Sequence, residues 1–298
     1  MPRASLANPP IHEHNYRPAL RFLGKVTVPE NRRITARSAQ VGLNKFRRPQ
    51  MYFGFEVEVE RTDGHNHPDC TDAARELVEA GGGLFYCKHD GSLSNGFEIV
   101  SQPFTWDWLR KPINAKKFAA IFNLRHQGYR SYQTTTCGFH VHMTRRALGP
   151  LGCYKLLEFA YRWPAFWLRL SARRNMARMS RWANPRPTEH VYGGPALKRT
   201  TKAKGTSPNR YSAVNITTET VEIRIFRGTL AKGGFFRTLE TVRALELFAR
   251  LAPLSDLTPS RFFGIVAEYR KELPHLVAAF PNDVKPYLPT VKVRPEAN

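Results

Sequence analysis

The run Gly54-Phe55-Glu56-Val57-Glu58-Val59-Glu60 constrains this chain more than any other feature. Apolar and acidic residues alternate in it without a break, which is the period of a strand and not of a helix. As a strand it turns Phe55, Val57 and Val59 to one side and Glu56, Glu58 and Glu60 to the other. Three further segments have the same character. Asp90-Gly91-Ser92-Leu93 leads into Gly96-Phe97-Glu98-Ile99-Val100; Cys137-Gly138-Phe139-His140-Val141-His142-Met143 spaces two histidines at i and i+2; Thr220-Val221-Glu222-Ile223-Arg224-Ile225-Phe226-Arg227 sets Glu222 and Arg224 on one side. Neighbouring antiparallel strands lie about 4.8 Å apart. Pairing these four gathers carboxylates, imidazoles and guanidiniums on one sheet face, within reach of a nucleotide and its metals.

The order of elements extends this. A helix is expected from Asp69 or Thr71 to about Ala80, stopped by Gly81-Gly82-Gly83. Strands are expected over 84–88, 96–102, 134–144, 210–217 and 219–227. Helices are expected from an Asn114 cap to before Gly128, over 150–181 with a break at Pro164, and over 235–251 and 259–272. Strands and helices do not alternate as βαβ units. The expected fold is α+β: a largely antiparallel sheet, helices on one face and an open polar face opposite. The expected divisions are a basic Pro/Arg-rich arm at 1–48, a body at 49–275 containing a basic loop or lid at 183–209, and a tail at 276–298.

Charge is concentrated. The net +22 of the 298 residues arises mostly in two places: residues 1–50 hold ten Lys/Arg against two acids, and residues 161–210 hold twelve against one. Local positive fields attract polyanions, so nucleic acid or another polyanion is an expected partner of 1–48 and 161–210. In the second stretch the charge interleaves with Trp163, Trp167 and Trp182, and Arg173, Arg174, Arg178 and Arg181 fall on one predicted helix. A solvated helix face or flexible tail is the plainer alternative. No apolar run approaches the roughly 20 residues that cross a bilayer, and MPRASLANPP lacks a secretory apolar stretch. A cytoplasmic protein without membrane partners is expected, and a phage-encoded one is compatible with this. The four cysteines form no CxxC pair and are expected as free thiols.

The polar face suits a definite chemistry. Mg²⁺ takes hard oxygen ligands, often shared between carboxylates and phosphates. Glu56, Glu58, Glu98 and Glu222 supply oxygens from three strands, and His140 adds a nitrogen donor. Arg224 and Arg227 can clamp phosphoryl oxygens. Each motif alone has a bland reading: a solvated strand edge, a same-face ion pair or an ordinary β-turn. His65-x-His67-x-x-Cys70 with Cys87-x-His89 has donor types for zinc but lacks the usual knuckle, and a polar loop beside a buried Cys87 reads better.

The ordered set FGFEVEVE, KHDGSLSNGFEIVS, CGFHVHM and RYSAVNITTETVEIRIFRGTL resembles the amidoligase family, a branch of the carboxylate–amine ligases related to glutamine synthetase and glutamate–cysteine ligase. The resemblance spans about residues 50–250. It implies a curved antiparallel sheet, a glutamine synthetase-like catalytic domain, holding ATP and Mg²⁺ or Mn²⁺ on its concave face. It further implies metal ligation by Glu56, Glu58, Glu98, His140 and Glu222. Glu58, Asp90 and Arg224 would act in catalysis, and His142, Arg173 or Arg174, Arg224 and Arg227 would contact the nucleotide or substrate. Asn215 would orient substrate. The implied activity is ATP-dependent amide formation between a carboxylate and an amine through an acyl phosphate. The acid and the amine are not identified, and one of them is expected on a polyanion. Two other readings remain open: a non-catalytic nucleic-acid-binding or virion-associated protein that keeps a ligase-like sheet, and a metal-dependent nuclease or hydrolase.

Overall fold

A computed structural model describes residues 11–12, 49–62, 68–93, 95–134, 136–185 and 211–289. The rest of the 1–48 arm, residues 186–209 of the loop, and residues 290–298 of the tail lie outside the described residues, as do His65 and His67.

Eight strands among the described residues form one sheet. They are β1 (Ile11–His12), β2 (Phe53–Arg61), β3 (Phe85–Lys88), β4 (Gly96–Ser101), β5 (Tyr129–Arg130), β6 (Gly138–Thr144), β7 (Val214–Ile216) and β8 (Thr220–Arg227). The order is β1-β3-β4-β2-β6-β8-β7, with β5 joining the far end of β2. Every pairing is antiparallel except β1 with β3. The fold is therefore α+β with a largely antiparallel sheet. The two shortest strands, β1 and β5, escape sequence reading because two residues carry no period.

Alternation fixes which side of β2 is dry. Phe53, Phe55, Val57 and Val59 are buried, together with Phe97 and Ile99 of β4, Phe139, Val141 and Met143 of β6, and Val221 and Ile223 of β8. The helix Lys232–Leu251 covers this side, and Phe235 meets the rings of Phe55 and Phe139 at 5.1 and 5.0 Å between centroids. Phe104 and Phe118 close the cluster on Phe55. Burying one such ring stabilises a fold by about 1.5–3 kcal/mol. Gly96 belongs to this packing by necessity: a Cβ there would lie 1.8 Å from the Val59 carbonyl oxygen.

Several local expectations shift. The helix Pro68–Ala80 ends where expected, with Gly82 and Gly83 at φ +58° and +78°. Asn114 does not cap a single helix. Its amide donates to the Trp108 carbonyl, and residues 112–127 form short turns that end at Gly128, φ +82°. The helix Arg145–Arg162 starts before the expected 150 and bends at Gly149-Pro150. Trp167 is core, not part of a basic surface. Packed helices also continue past the boundary drawn at 275. Pro274–Ala279 and Pro281–Val284 bury Leu276 and Val284, so the body extends into the expected tail.

Candidate functional site

On the sheet's other side the cross-strand register lines up the polar residues in pairs. Glu58 stands opposite Glu98, Glu56 opposite His140, and His142 opposite Glu222, with Lys88 across from Glu98 and Asn215 across from Glu222. Directly opposed residues have Cβ atoms about 4.5–5.5 Å apart, so this register alone packs four carboxylates and two imidazoles together. Glu58, Glu98, His140 and Glu222 are buried.

Three groups of side chains bring one donor atom each to within 4.8 Å of one another: Glu56, Glu98 and His140; Glu56, His142 and Glu222; Glu58, Asp90 and Glu98. Glu56 and Glu98 are each shared by two groups. All five residues expected as metal ligands from the sequence are included. His142 and Asp90, expected in other roles, have the same placement as the expected ligands. Asp90 is brought in by the turn: its carboxylate accepts from the Ser92 N–H at 2.7 Å, and its carbonyl accepts from Leu93.

The hydrogen bonding is incomplete in a telling way. His140 Nδ1 is 3.6 Å from Glu56 Oε2 and 3.5 Å from Glu222 Oε1, and His142 Nε2 is 3.4 Å from Glu56 Oε1. Both nitrogens are buried without a hydrogen-bond partner. A buried polar atom left unpaired costs about 1–3 kcal/mol. Imidazole nitrogens standing off from carboxylate oxygens leave the gap a shared cation fills, so the donor set fits divalent metal.

Electrostatics follow from the crowding. Burial pushes the Glu98 carboxyl well above the ordinary range, and the neighbouring Glu56 carboxylate pushes it further, against a partial offset from Lys88 at 2.5 Å. Burial also raises Glu56, but the His142 and His140 rings outweigh it and hold that carboxyl well below the ordinary range. Burial raises Glu58, with Asp90 adding to the effect. Burial works against a charged His142, yet Glu56 and Glu222 overcome it and raise the imidazole.

Supporting residues hold these donors in place. The Asn215 amide donates to Glu222 Oε2 at 2.8 Å, Arg224 donates to the other Glu222 oxygen, and Thr220 Oγ1 lies 3.3 Å from His142 Nδ1. Asn215, expected from sequence to orient substrate, here donates to a carboxylate of the face. The Gly138 N–H donates to Glu58 Oε2, and a Cβ at Gly138 would stand 3.0 Å from His140 Nε2 and 3.4 Å from Glu58 Oε2. Thr136 donates to Glu60, which extends the acidic row but belongs to none of the three groups.

The arginines divide. Arg224 lies on the face, and Arg173 reaches it, with Nη2 3.6 Å from where a Gly138 Cβ would be. Of the two arginines expected as alternatives from sequence, Arg173 lies at the face and Arg174 is exposed. Strict alternation from Glu222 and Arg224 would turn Arg227 to the core. A bulge opposite His140 resets the count, and Arg227 pairs with Gly138 on the polar side. Arg237, on the helix Lys232–Leu251, is an unforeseen neighbour of Arg227. Nothing in the local sequence announces it, because it belongs to a different element.

No family model and no curated protein match the chain. Among solved structures, the Pup ligase PafA in complex with prokaryotic ubiquitin-like protein Pup is similar over 80% of this chain and 64% of that one, with 11% identity and a TM-score of 0.39.

Proposed function

We propose that the chain is an ATP- and Mg²⁺-dependent carboxylate–amine ligase with a glutamine synthetase-like catalytic sheet. The observation that carries this reading is the arrangement of three donor groups sharing Glu56 and Glu98, with unpaired His140 and His142 nitrogens among them and arginines along one end. Bound ATP with its divalent cations supplies the phosphoryl group that activates a carboxylate for attack by an amine.

The chain's own residues have separable parts in that scheme. Glu56, Glu98, His140, His142 and Glu222 hold cations. Asn215 and Thr220 keep Glu222 and His142 in the orientation that presents their donors. Arg224 and Arg227 offset negative charge on phosphoryl oxygens. Glu58 and Asp90, at the end of the face nearest the polar turn, complete the third group; a carboxylate there, its proton affinity raised as that of Glu58 is, accepts the proton from an attacking amine. The buried face limits water, which favours the amine over hydrolysis.

The substrate acid or amine is part of a polyanion in this reading. Support comes from Arg174 and Arg178, exposed on and beside the helix Met176–Ala183, which carries no acidic residue and directly follows the Arg173 corner. A cytoplasmic place of work belongs to the same reading; no helix among the described residues is long and apolar enough to cross a membrane. The test is ADP release from ATP and Mg²⁺ in the presence of candidate acids and amines, with the amide product sought by mass spectrometry. Glu56→Gln and His140→Ala are expected to abolish ADP release. Undiminished turnover in both variants would remove the site from the reaction.

A further inference from the structure

Arg227 owes its place on the polar face to a backbone irregularity and not to its neighbours. Its side chain lies 5.6 Å over the Tyr132 ring. The charges around it are of its own sign: Arg173 and Arg237 both feel its repulsion. Among the described residues no carboxylate pairs with Arg227. A side chain crowded by like charge is held where its backbone puts it, and the backbone here is bulged. Arg224 and Ile225 together oppose the single residue His140 between the Phe139–Phe226 and Val141–Ile223 pairs.

A bulge leaves backbone groups outside the ladder. Here Arg173 meets the carbonyls of the bulged Ile225 and of Phe226 beside it. Its Nε donates to the Ile225 carbonyl at 2.8 Å and its Nη2 to the Phe226 carbonyl at 3.1 Å. Two consecutive carbonyls met by one planar guanidinium fix the bulge at this position and in this sense. Arg173 is itself fixed. It follows Ala172, at φ +58°, in the corner between the helices Pro164–Ser171 and Met176–Ala183. The buried Ser171 hydroxyl donates to the Leu168 carbonyl at 2.7 Å and accepts the Arg173 N–H at 3.0 Å. Asn175 caps the following helix by accepting from Arg178. Every link between the helix corner and β8 is a hydrogen bond of 2.7 to 3.1 Å, and two of the donors of Arg173 are thereby occupied.

We propose that Arg173 is a positioning residue: its guanidinium clamps the β8 bulge, holds Arg227 on the metal face, and acts on the nucleotide phosphates through Arg227. The proposal rests on the ligase reading for the identity of the ligand, but not for the clamp. Lysine retains the charge yet cannot bridge two carbonyls as a planar fork does, so Arg173→Lys separates charge from clamp.

The experiment combines ATP·Mg²⁺ affinity with amide hydrogen exchange across residues 222–228 in the full chain, for wild type, Arg173→Lys, Arg227→Ala and the double variant. Arg173→Lys is expected to weaken ATP binding by about tenfold or more, the scale of a lost charge-assisted bidentate bond, and to speed exchange at the bulge. Arg227→Ala is expected to weaken binding at least as much with little change in exchange. In the double variant the two losses do not add, because one acts through the other. Additive losses, or exchange in Arg173→Lys equal to wild type, overturn the proposal. If wild type binds no ATP, the ligase reading falls and the exchange arm alone decides: faster exchange at 222–228 sustains the clamp, and unchanged exchange removes it.

Discussion

The molecule buries charge in two places, and the two are built differently. On the helix Lys232–Leu251, Glu246 is fully buried between Arg243, at 2.5 Å, and Arg250. One turn and a half earlier Glu240 accepts from the Leu276 N–H at 2.7 Å and lies 2.6 Å from His275 Nδ1. In this region each buried carboxylate is in direct contact with a cation or a donor. On the sheet face four carboxylates converge, Lys88 and Arg224 meet only Glu98 and Glu222, and the two imidazoles stand 3.4–3.6 Å from oxygen without a hydrogen bond. Burial is common to both clusters; compensation is not. A network whose charges are matched in contact serves the fold, whereas one with an excess of like charge is where a bound cation is expected.

The sharpest way to break this contrast is to remove one carboxylate from each cluster. Glu246→Gln leaves two arginines without their shared partner, and is expected to cost about 3–5 kcal/mol of stability in urea denaturation. ATP affinity per folded molecule should be unchanged. Glu98→Gln removes a carboxylate from a place with too many. It is expected to leave metal-free stability equal or higher, while Mg²⁺ or Mn²⁺ affinity measured calorimetrically falls by about a hundredfold, the upper end for losing part of a metal site. Equal stability losses in both variants would erase the distinction.

A smaller effect concerns pH. The Glu98 carboxyl is raised by burial and by Glu56. Folded protein therefore holds this proton to higher pH than unfolded chain does. Whereas the contribution of Glu56, held low, to metal-free stability is lost as pH falls, that of Glu98 is greatest below the ordinary carboxylate value and is lost as pH rises through the raised folded value. A divalent cation must displace the same proton, so its affinity should climb with pH across that window, and calorimetry in buffers of different ionisation enthalpy should register proton release. Affinity that is flat with pH would mean that Glu98 is not displaced by the cation.

The smallest expected effect is at Gly138. A methyl group there presses on His140 Nε2 and Glu58 Oε2. Gly138→Ala should lower metal affinity by about tenfold while changing stability by less than about 1 kcal/mol, since only side-chain ends need to move. Gly96→Ala, where the obstacle is the Val59 carbonyl, should do the reverse and destabilise by about 3 kcal/mol.

The face of carboxylates and imidazoles was legible because its pattern is local. Alternation in β2, β4, β6 and β8 assigned Glu56, Glu98, His140 and Glu222 to one side of their strands before any pairing was known. What joined them was not local: Glu56 and His140 meet across 84 residues, through register that depends on the whole core. The same limit hid the role of Asn215, the ligand-like placement of Asp90 and His142, and the approach of Arg237. Arg227 is the instructive case, because a period of two assigns it to the wrong side and only the bulge corrects it. Arg173 reaches the face from a corner that contains the left-handed Ala172, a conformation that sequence gives no reason to expect of alanine.

The most direct test of the central claim is anomalous scattering from crystals grown with Mn²⁺ and a non-hydrolysable ATP analogue. The account predicts manganese peaks within coordination distance of the Glu56, Glu98 and His140 group and of the Glu56, His142 and Glu222 group, with analogue phosphates running toward Arg224 and Arg227. Manganese bound elsewhere, or a face occupied by ordered water alone at saturating Mn²⁺, would contradict it.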